Sequence, residues 1–427
     1  MKTDPRDAAP RGADVERIQR RTVRTLAAGQ VLGGVAFGAT VSLGALLAAD
    51  ISGEDGLSGL ATASVTLGAA IAAIPLARLA GRRGRRVALT LGNTLALVGI
   101  LVVVTAAALR SFPLLLAGVV LIGMGNAGNL QSRFAATDLA TDARRARDLS
   151  VVVWATTIGA VAGPLLVGPG ETVGAALGMP RLTGSYLFSF VAQALALALY
   201  LIALRPDPLR WAQRLARTGA ARASHISDID RPRTARYAIF AVSGSHVVMA
   251  SVMAMTPVHL AHMTHGSGVT VVVGVTIAVH VFGMYGLSPV FGWLADRAGR
   301  MPVIVAGQVL LAAALVVAAV FADDPIGVAI GLLLLGLGWS AATVAGAALL
   351  TESTPTARRP RRQGLSDTVM TLSAAAGSAL AGLVLTGIGY EGLALTALAL
   401  VGAVLVLSPL GRIRAGAAEP GGVHPRE

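Results

Sequence analysis

Cysteine is absent from this 427-residue chain, which excludes disulfides, thiolate nucleophiles and thiolate metal ligands. Charge is scarce: Asp, Glu, Lys and Arg make up 13% of residues, against about 25% in an ordinary soluble domain. Aromatic residues amount to 4%, so any aromatic wall rests on a few side chains. No GxxxxGK[ST] phosphate loop is present, which argues against direct coupling to ATP. No HExxH pattern or acidic metal cluster falls in an apolar stretch, and no Ser/His pair stands out as hydrolytic. The chain therefore reads as a non-enzyme without cofactor or resident metal.

What the sequence has instead is apolar length. Hydrophobic residues reach 54% and mean hydropathy is +0.70. Windows of about 20 apolar residues predict spans at 25–49, 57–77, 87–109, 112–132, 149–168 and 183–204. Six more follow at 237–262, 269–293, 302–321, 326–350, 366–388 and 392–410. Of the 35 Lys+Arg, seven precede the first span; 5, 4, 8, 2 and 4 fall in the even-numbered gaps, and three lie in the tail. Only Arg110 and Arg181 lie in the other gaps, while Asp50, Glu54, Asp55, Glu171, Asp323, Asp324 and Glu391 cluster there. Arginine-bearing loops stay on the cytoplasmic side, so both termini are expected in the cytoplasm of a multi-pass plasma-membrane protein. The basic pI then reflects topology and contact with lipid headgroups, not nucleic acid. The stretch before the first span is polar and arginine-rich, with no signal-peptide core.

The expected organisation is a cytoplasmic tail over 1–24, a six-helix bundle over 25–204, a linker over 205–236, a second six-helix bundle over 237–410 and a tail over 411–427. An internal repeat supports the two halves. Leu79-Ala80-Gly81-Arg82-Arg83-Gly84-Arg85 follows span 2, and Leu294-Ala295-Asp296-Arg297-Ala298-Gly299-Arg300 follows span 8 at an offset of 215. Gly92 and Gly307 keep that offset. Leu149-Ser150 and Leu365-Ser366 open spans 5 and 11 at an offset of 216. Duplicated halves related by an axis along the membrane normal are a transporter plan.

On these residues the chain resembles the major facilitator superfamily. Gly292-Trp293-Leu294-Ala295-Asp296-Arg297-Ala298-Gly299-Arg300 matches the family's loop signature. In span 5, Gly159, Gly163, Pro164 and Gly168 resemble the glycine–proline pattern of its 12-span drug:proton antiporters. The first loop copy departs from the signature, with Gly81 where the family places aspartate and Ala77 where it places glycine. Val119 stands where many of those antiporters carry arginine. The resemblance implies an all-α membrane fold of 12 transmembrane helices in two six-helix bundles, working by alternating access on a small-molecule substrate, with protons as the coupling ion and a monomer as the working unit.

Mechanistic candidates come from polar groups in apolar segments, which are costly unless they face protein or water. Asn126, Asn129 and Arg133 share one face of span 4 at i, i+3 and i+7, and Gln30 in span 1 joins them as expected cavity lining. Trp154, Met253, Tyr285 and Trp339 are the candidate apolar walls. His246 and His280 approach mid-membrane and titrate in the useful range, so they lead as proton-coupling candidates, with Asp50 and Asp367 behind them. The alternative for each histidine is a neutral ring bonded to a neighbour. Asp296 is expected to reach the N-terminus of span 5, where unpaired N–H groups favour an anion, forming a one-sided latch with Gly292, Arg297, Gly299 and Arg300. Gly159, Gly163 and Pro164 are the expected hinge or seal. His259, His262, Met263 and His265 could suit a soft metal, but packing is the favoured reading. The activity expected is proton-coupled efflux of amphipathic or apolar compounds. Uptake of a small metabolite by proton symport or facilitated diffusion is the alternative.

Overall fold

The computed structural model describes residues 12–54, 57, 59–217, 230–263 and 269–411. Backbone polar groups in lipid must be satisfied within the segment, and the chain meets this with helices. They are α1 Gly12–Ser52, α2 Gly59–Arg83, α3 Arg85–Leu109, α4 Phe112–Ala135, α5 Arg145–Leu165, α6 Val167–Ala176, α7 Gly184–Ala203, α8 Pro208–Arg217, α9 Pro232–Met263, α10 Val269–Tyr285, α11 Ser288–Ala298, α12 Arg300–Val320, α13 Pro325–Glu352 and α14 Arg359–Val406. Ten described segments are long and apolar enough to span a bilayer unaided; α1 and α5 complete the twelve.

Interruptions have local causes. The fifth span breaks at Leu166, whose N–H donates to the Gly163 carbonyl at 3.1 Å, three residues back and not four; the Pro164 side chain lies outside the described residues. The eighth span divides into α10 and α11 around Gly286 and Leu287. α14 carries spans 11 and 12 with a break at Gly389, whose φ of 75° favours glycine. Helix α1 starts at Gly12, well before its apolar part. There Gln19 donates to the Ala136 carbonyl and to Asp148 at 2.6 Å each, pinning the polar turns to the end of α4 and the first turn of α5. Within the linker, α8 is amphipathic and buries Leu209, Ala212 and Leu215. Asp207 fixes its position by accepting from the backbone N–H groups of both Arg86 (2.8 Å) and Arg210 (3.1 Å).

Helices α1 to α7 pack among themselves, as do α9 to α14, and the two groups meet through α2 and α4 against α14 and through α5 against α10, α11 and α13. One apolar core crosses that boundary: Phe134, Ala146, Leu149 and Val153 of the first half pack with Ala238, Ala295, Val344 and Ala348 of the second. Polar contacts that join the halves, among them those of Arg85, Arg133, Asp296 and Arg300, lie towards the arginine-rich end of the bundle.

The halves repeat each other in detail. Gly84 and Gly299, equivalent at the offset of the loop signature, turn α2 into α3 and α11 into α12 with φ of 97° and 96°. Further along, the equivalence shifts. Buried Arg145 donates to Ala140 O and buried Arg359 to Thr354 O, so spans 5 and 11 correspond at an offset of 214. The offset of 216 read from Leu149-Ser150 and Leu365-Ser366 is corrected accordingly: Ser150 is equivalent to Gly364.

Candidate functional site

Three layers can be followed from the arginine-rich end inward. In the outermost, Asp296 at the end of α11 accepts from the backbone N–H of Ala146 (3.0 Å) and of Arg147 (2.8 Å) in the first turn of α5. This is an anion seated on a helix N-terminus, satisfying donors that have no partner within the helix. Arg300 holds it from behind at 3.1 Å, reaches Glu352 at 3.3 Å and donates to the Asp142 carbonyl. Arg297 turns away, with its guanidinium over the Trp293 ring. Gly292 lets α11 approach α5, since a Cβ built there would lie 2.1 Å from Ser150 Oγ.

The repeat-related contact in the other half is built differently on both sides. Gly81 occupies the Asp296 position, and facing it is Pro360, the counterpart of Ala146. Proline has no N–H, so acid and donor are missing together. Ala77 replaces the signature glycine, and the space it needs is supplied by Gly364, where a Cβ would lie 2.4 Å from the Ala77 Cβ. Small residue and larger neighbour have exchanged sides.

The second layer crosses between halves. Arg85 makes a bidentate pair with Asp138 (2.8 and 3.1 Å), all of it buried, and donates to Gln363 of α14 at 2.5 Å. Burial pushes the Asp138 carboxyl upward against the opposing pull of Arg85. Gln363 in turn donates to Thr351. Arg133 of α4 meets Asp367 of α14 at 2.5 Å, with side chains 7% and 1% exposed. The second oxygen of Asp367 and the Nε of Arg133 have no hydrogen-bond partner among the described residues.

Above this layer lies a cavity of about 280 Å³ between the halves. Gln30, Asn126, Asn129, Arg133 and Thr156 line it from the first half, and His246, Tyr285, Trp339, Thr343 and Met370 from the second. Gln30 is committed within its own half, donating to Thr156 at 3.2 Å and accepting from Ser132 at 2.9 Å. The Trp339 indole donates to His246 Nδ1 at 2.7 Å, and Tyr285 meets Trp339 edge-on with centroids 5.7 Å apart. Because an indole N–H only donates, His246 carries its proton on Nε2.

Other candidates stand elsewhere. Trp154 is 41% exposed on the outside of the bundle, and Met253 packs with the core of the second half; neither lines the cavity. His280 is fully buried between α10 and α13, its Nδ1 donating to the Leu332 carbonyl at 2.8 Å, away from the cavity lining. Asp50 sits at the opposite end, paired with Arg110 at 3.2 Å. Gly163 is buried in α5, and Gly159 meets Gly34 of α1, where a Cβ would lie 2.6 Å from the Gly34 Cα. His259 stacks on Tyr390 and bonds the Ala322 carbonyl; the side chains of His262, Met263 and His265 lie outside the described residues. Sequence reading passed over Asp138, Glu352, Gln363 and Thr343. The first two were detectable as acids in matching positions of the two halves, at the offset that relates Arg145 to Arg359.

A twelve-span bundle of two repeated halves, with a cavity between them and a polar layer sealing one end, defines a membrane transporter. The chain belongs to the Major Facilitator Superfamily, whose sequence profile matches residues 26–288 and 271–423. It is 37% identical over 374 residues to the uncharacterized MFS-type transporter YddS of Bacillus subtilis, covering 84% of each chain. It is 31% identical over 376 residues to the riboflavin transporter RfnT of Brucella anthropi, covering 84% of this chain and 87% of that one. Among solved structures, the proton:xylose symporter XylE superposes with a TM-score of 0.72 at 16% identity, over 92% of this chain and 95% of that one. That likeness concerns the fold.

Proposed function

We propose that this protein is a proton-coupled secondary transporter of the plasma membrane, with both termini in the cytoplasm, that exports small amphipathic or apolar compounds as a monomer. The carrying observation is the Arg133–Asp367 pair, which joins the halves directly beneath the cavity. A proton delivered to the open oxygen of Asp367 removes the charge that holds Arg133, and the seal between the halves loosens. Deprotonation restores it, so occupancy of one site by a proton biases the rocking of the two halves. His246 is a poorer carrier, because protonating Nδ1 breaks its bond to Trp339, and His280 lies behind the cavity wall. Export is supported by the resemblance of Gly159, Gly163, Pro164 and Gly168 to the glycine–proline pattern of the family's antiporters; Gly159 of that segment meets Gly34 of α1 backbone to backbone.

Uptake of a small metabolite by proton symport is the second reading. The amides and hydroxyls of the lining favour it, as does the similarity to RfnT, a riboflavin transporter. Counterflow in proteoliposomes under an imposed pH gradient separates the two. Export predicts that substrate moves against the proton flux and that Asp367→Asn abolishes the pH dependence. Movement with the flux supports symport, and exchange indifferent to pH in the native protein removes proton coupling.

A further inference from the structure

With Gly81 in the Asp296 position and Pro360 opposite it, the first half lacks the anion–helix latch, and equivalent residues show what stands in its place. Arg85 corresponds to Arg300 at the offset of 215, and Asp138 to Glu352 at the offset of 214. Each arginine pairs with the acid of its own half, Arg85 with Asp138 at 2.8 Å and Arg300 with Glu352 at 3.3 Å. From there the two diverge. Arg300 turns to Asp296, which carries the contact across to the backbone of α5. Arg85 has no such acid beside it, and its Nη2, shared with Asp138, reaches Gln363 of α14 directly.

Gln363 has an apolar counterpart. The equivalent residue at the offset of 214 is Leu149, which packs in the core at the boundary of the halves. The amide at this place is explained by what it touches: its Oε1 accepts from Arg85 at 2.5 Å and its Nε2 donates to Thr351 Oγ1 at 3.2 Å. Thr351 lies 3.4 Å, oxygen to oxygen, from Thr137, its own equivalent in the first half. Contact between two equivalent residues falls on the axis that relates the halves, so this polar seam closes the bundle at its centre. Arg85, Gln363, Thr351 and Thr137 are each at most 1% exposed, and a hydrogen bond to a charged donor is stronger than one between neutral groups.

From these features we infer that Gln363 is the gating residue of the first half, a clasp that takes the arginine directly where the second half uses Asp296 as intermediary. It acts by positioning α14 against α3, without touching the cavity. Neither a guanidinium nor an amide titrates in the working range, so the clasp, unlike the Arg133–Asp367 pair, brings no proton-binding group of its own to the contact. This rests on the rocking of the two halves and names a residue that governs it.

The test uses a single cysteine, Thr371→Cys, in the full-length and naturally cysteine-free chain. Thr371 lines the cavity about two turns beyond Gln363 on α14, and a membrane-impermeant maleimide reaches it through an open face. Gln363→Leu installs the residue of the equivalent position and leaves the Arg85–Asp138 pair intact; thermal melting reports folding. The expected result is labelling from the arginine-rich face about tenfold faster than in the parent, as for loss of a charge-assisted bond, with no gain from the opposite face. Adding Gly81→Asp and Pro360→Ala to Gln363→Leu supplies an acid and a backbone donor of the Asp296 kind, and should return labelling towards the parental rate. Unchanged labelling in folded Gln363→Leu, an equal gain from both faces, or a rate that the added pair leaves raised overturns the proposal. Asp296→Asn in the same parent keeps the two levels apart. If it speeds labelling at the arginine-rich face and Gln363→Leu does not, the clasp alone falls; if Thr371→Cys is labelled from one and the same face in the parent and in every variant, alternating access falls with it.

Discussion

Arg133 on α4 and Asp367 on α14 lie far apart in the chain and 2.5 Å apart in space, and they form the ion pair nearest the cavity. Removing one member of a buried pair leaves the other charge uncompensated, at a cost of about 3–5 kcal/mol. Asp367→Asn and Arg133→Gln should each lower the melting temperature and abolish pH-driven accumulation. The double substitution should recover part of the stability but none of the coupling. Thermal melting alongside vesicle uptake measures both, and a double variant that loses the sum of the two single losses would show that the pair is not coupled.

Asp296 bonds two backbone donors of α5, whereas its counterpart Gly81 faces Pro360. Asp296→Asn weakens a charge–helix interaction of about 0.3–2 kcal/mol and should shift the protein towards opening at the arginine-rich end. The other side is receptive only if both halves of the contact are restored. Gly81→Asp alone should change little, while Gly81→Asp with Pro360→Ala should add a second latch and slow transport. Cysteine labelling on this naturally cysteine-free chain reads the shift.

Gly159 and Gly34 touch backbone to backbone. Gly159→Val should push α1 from α5 and lower stability by about 1–3 kcal/mol, the usual cost of overpacking, with a larger loss of transport than Gly168→Val, because nothing lies within 4 Å of a Cβ at Gly168. Melting and counterflow of the two variants provide the comparison.

Asp230, just before α9, pairs with Arg362 at 2.7 Å and with Arg358. The hydrogen bond from Arg362 holds its carboxyl below the usual carboxylate range. A depressed carboxylate contributes stability above its unfolded pKa, about 3.9, and loses it as pH falls through the lower folded value. Protection factors of the amides at the start of α9, taken against the intrinsic exchange rate at each pH, should therefore fall only below about pH 4, and Asp230→Asn should show the lower protection at every pH.

Much of this was legible in the chain. Alternate arginine loops placed the polar layer at one end, the i, i+3, i+7 spacing put Asn126, Asn129 and Arg133 on one face, and the loop signature located Asp296. Other residues escaped because their roles depend on the opposite half. Asp138 gained its meaning from Arg85, Asp367 was named as a candidate without its partner Arg133, and Gly364 and Pro360 become readable only beside Ala77 and Gly81. Depth along a helix, which drew notice to His280, says nothing about facing, and that ring turns towards α13. Trp154 likewise has the right height and the wrong azimuth.

Alternating access is tested most directly by pulsed electron-spin distances on two labelled pairs, Arg82→Cys with Arg361→Cys at the arginine-rich end and Leu109→Cys with Phe321→Cys at the other. Lowering the pH or adding a transported compound should lengthen one distance and shorten the other, and Asp367→Asn should suppress the response to pH. Distances that change in the same sense at both ends, or at neither, would contradict a rocking pair of half-bundles.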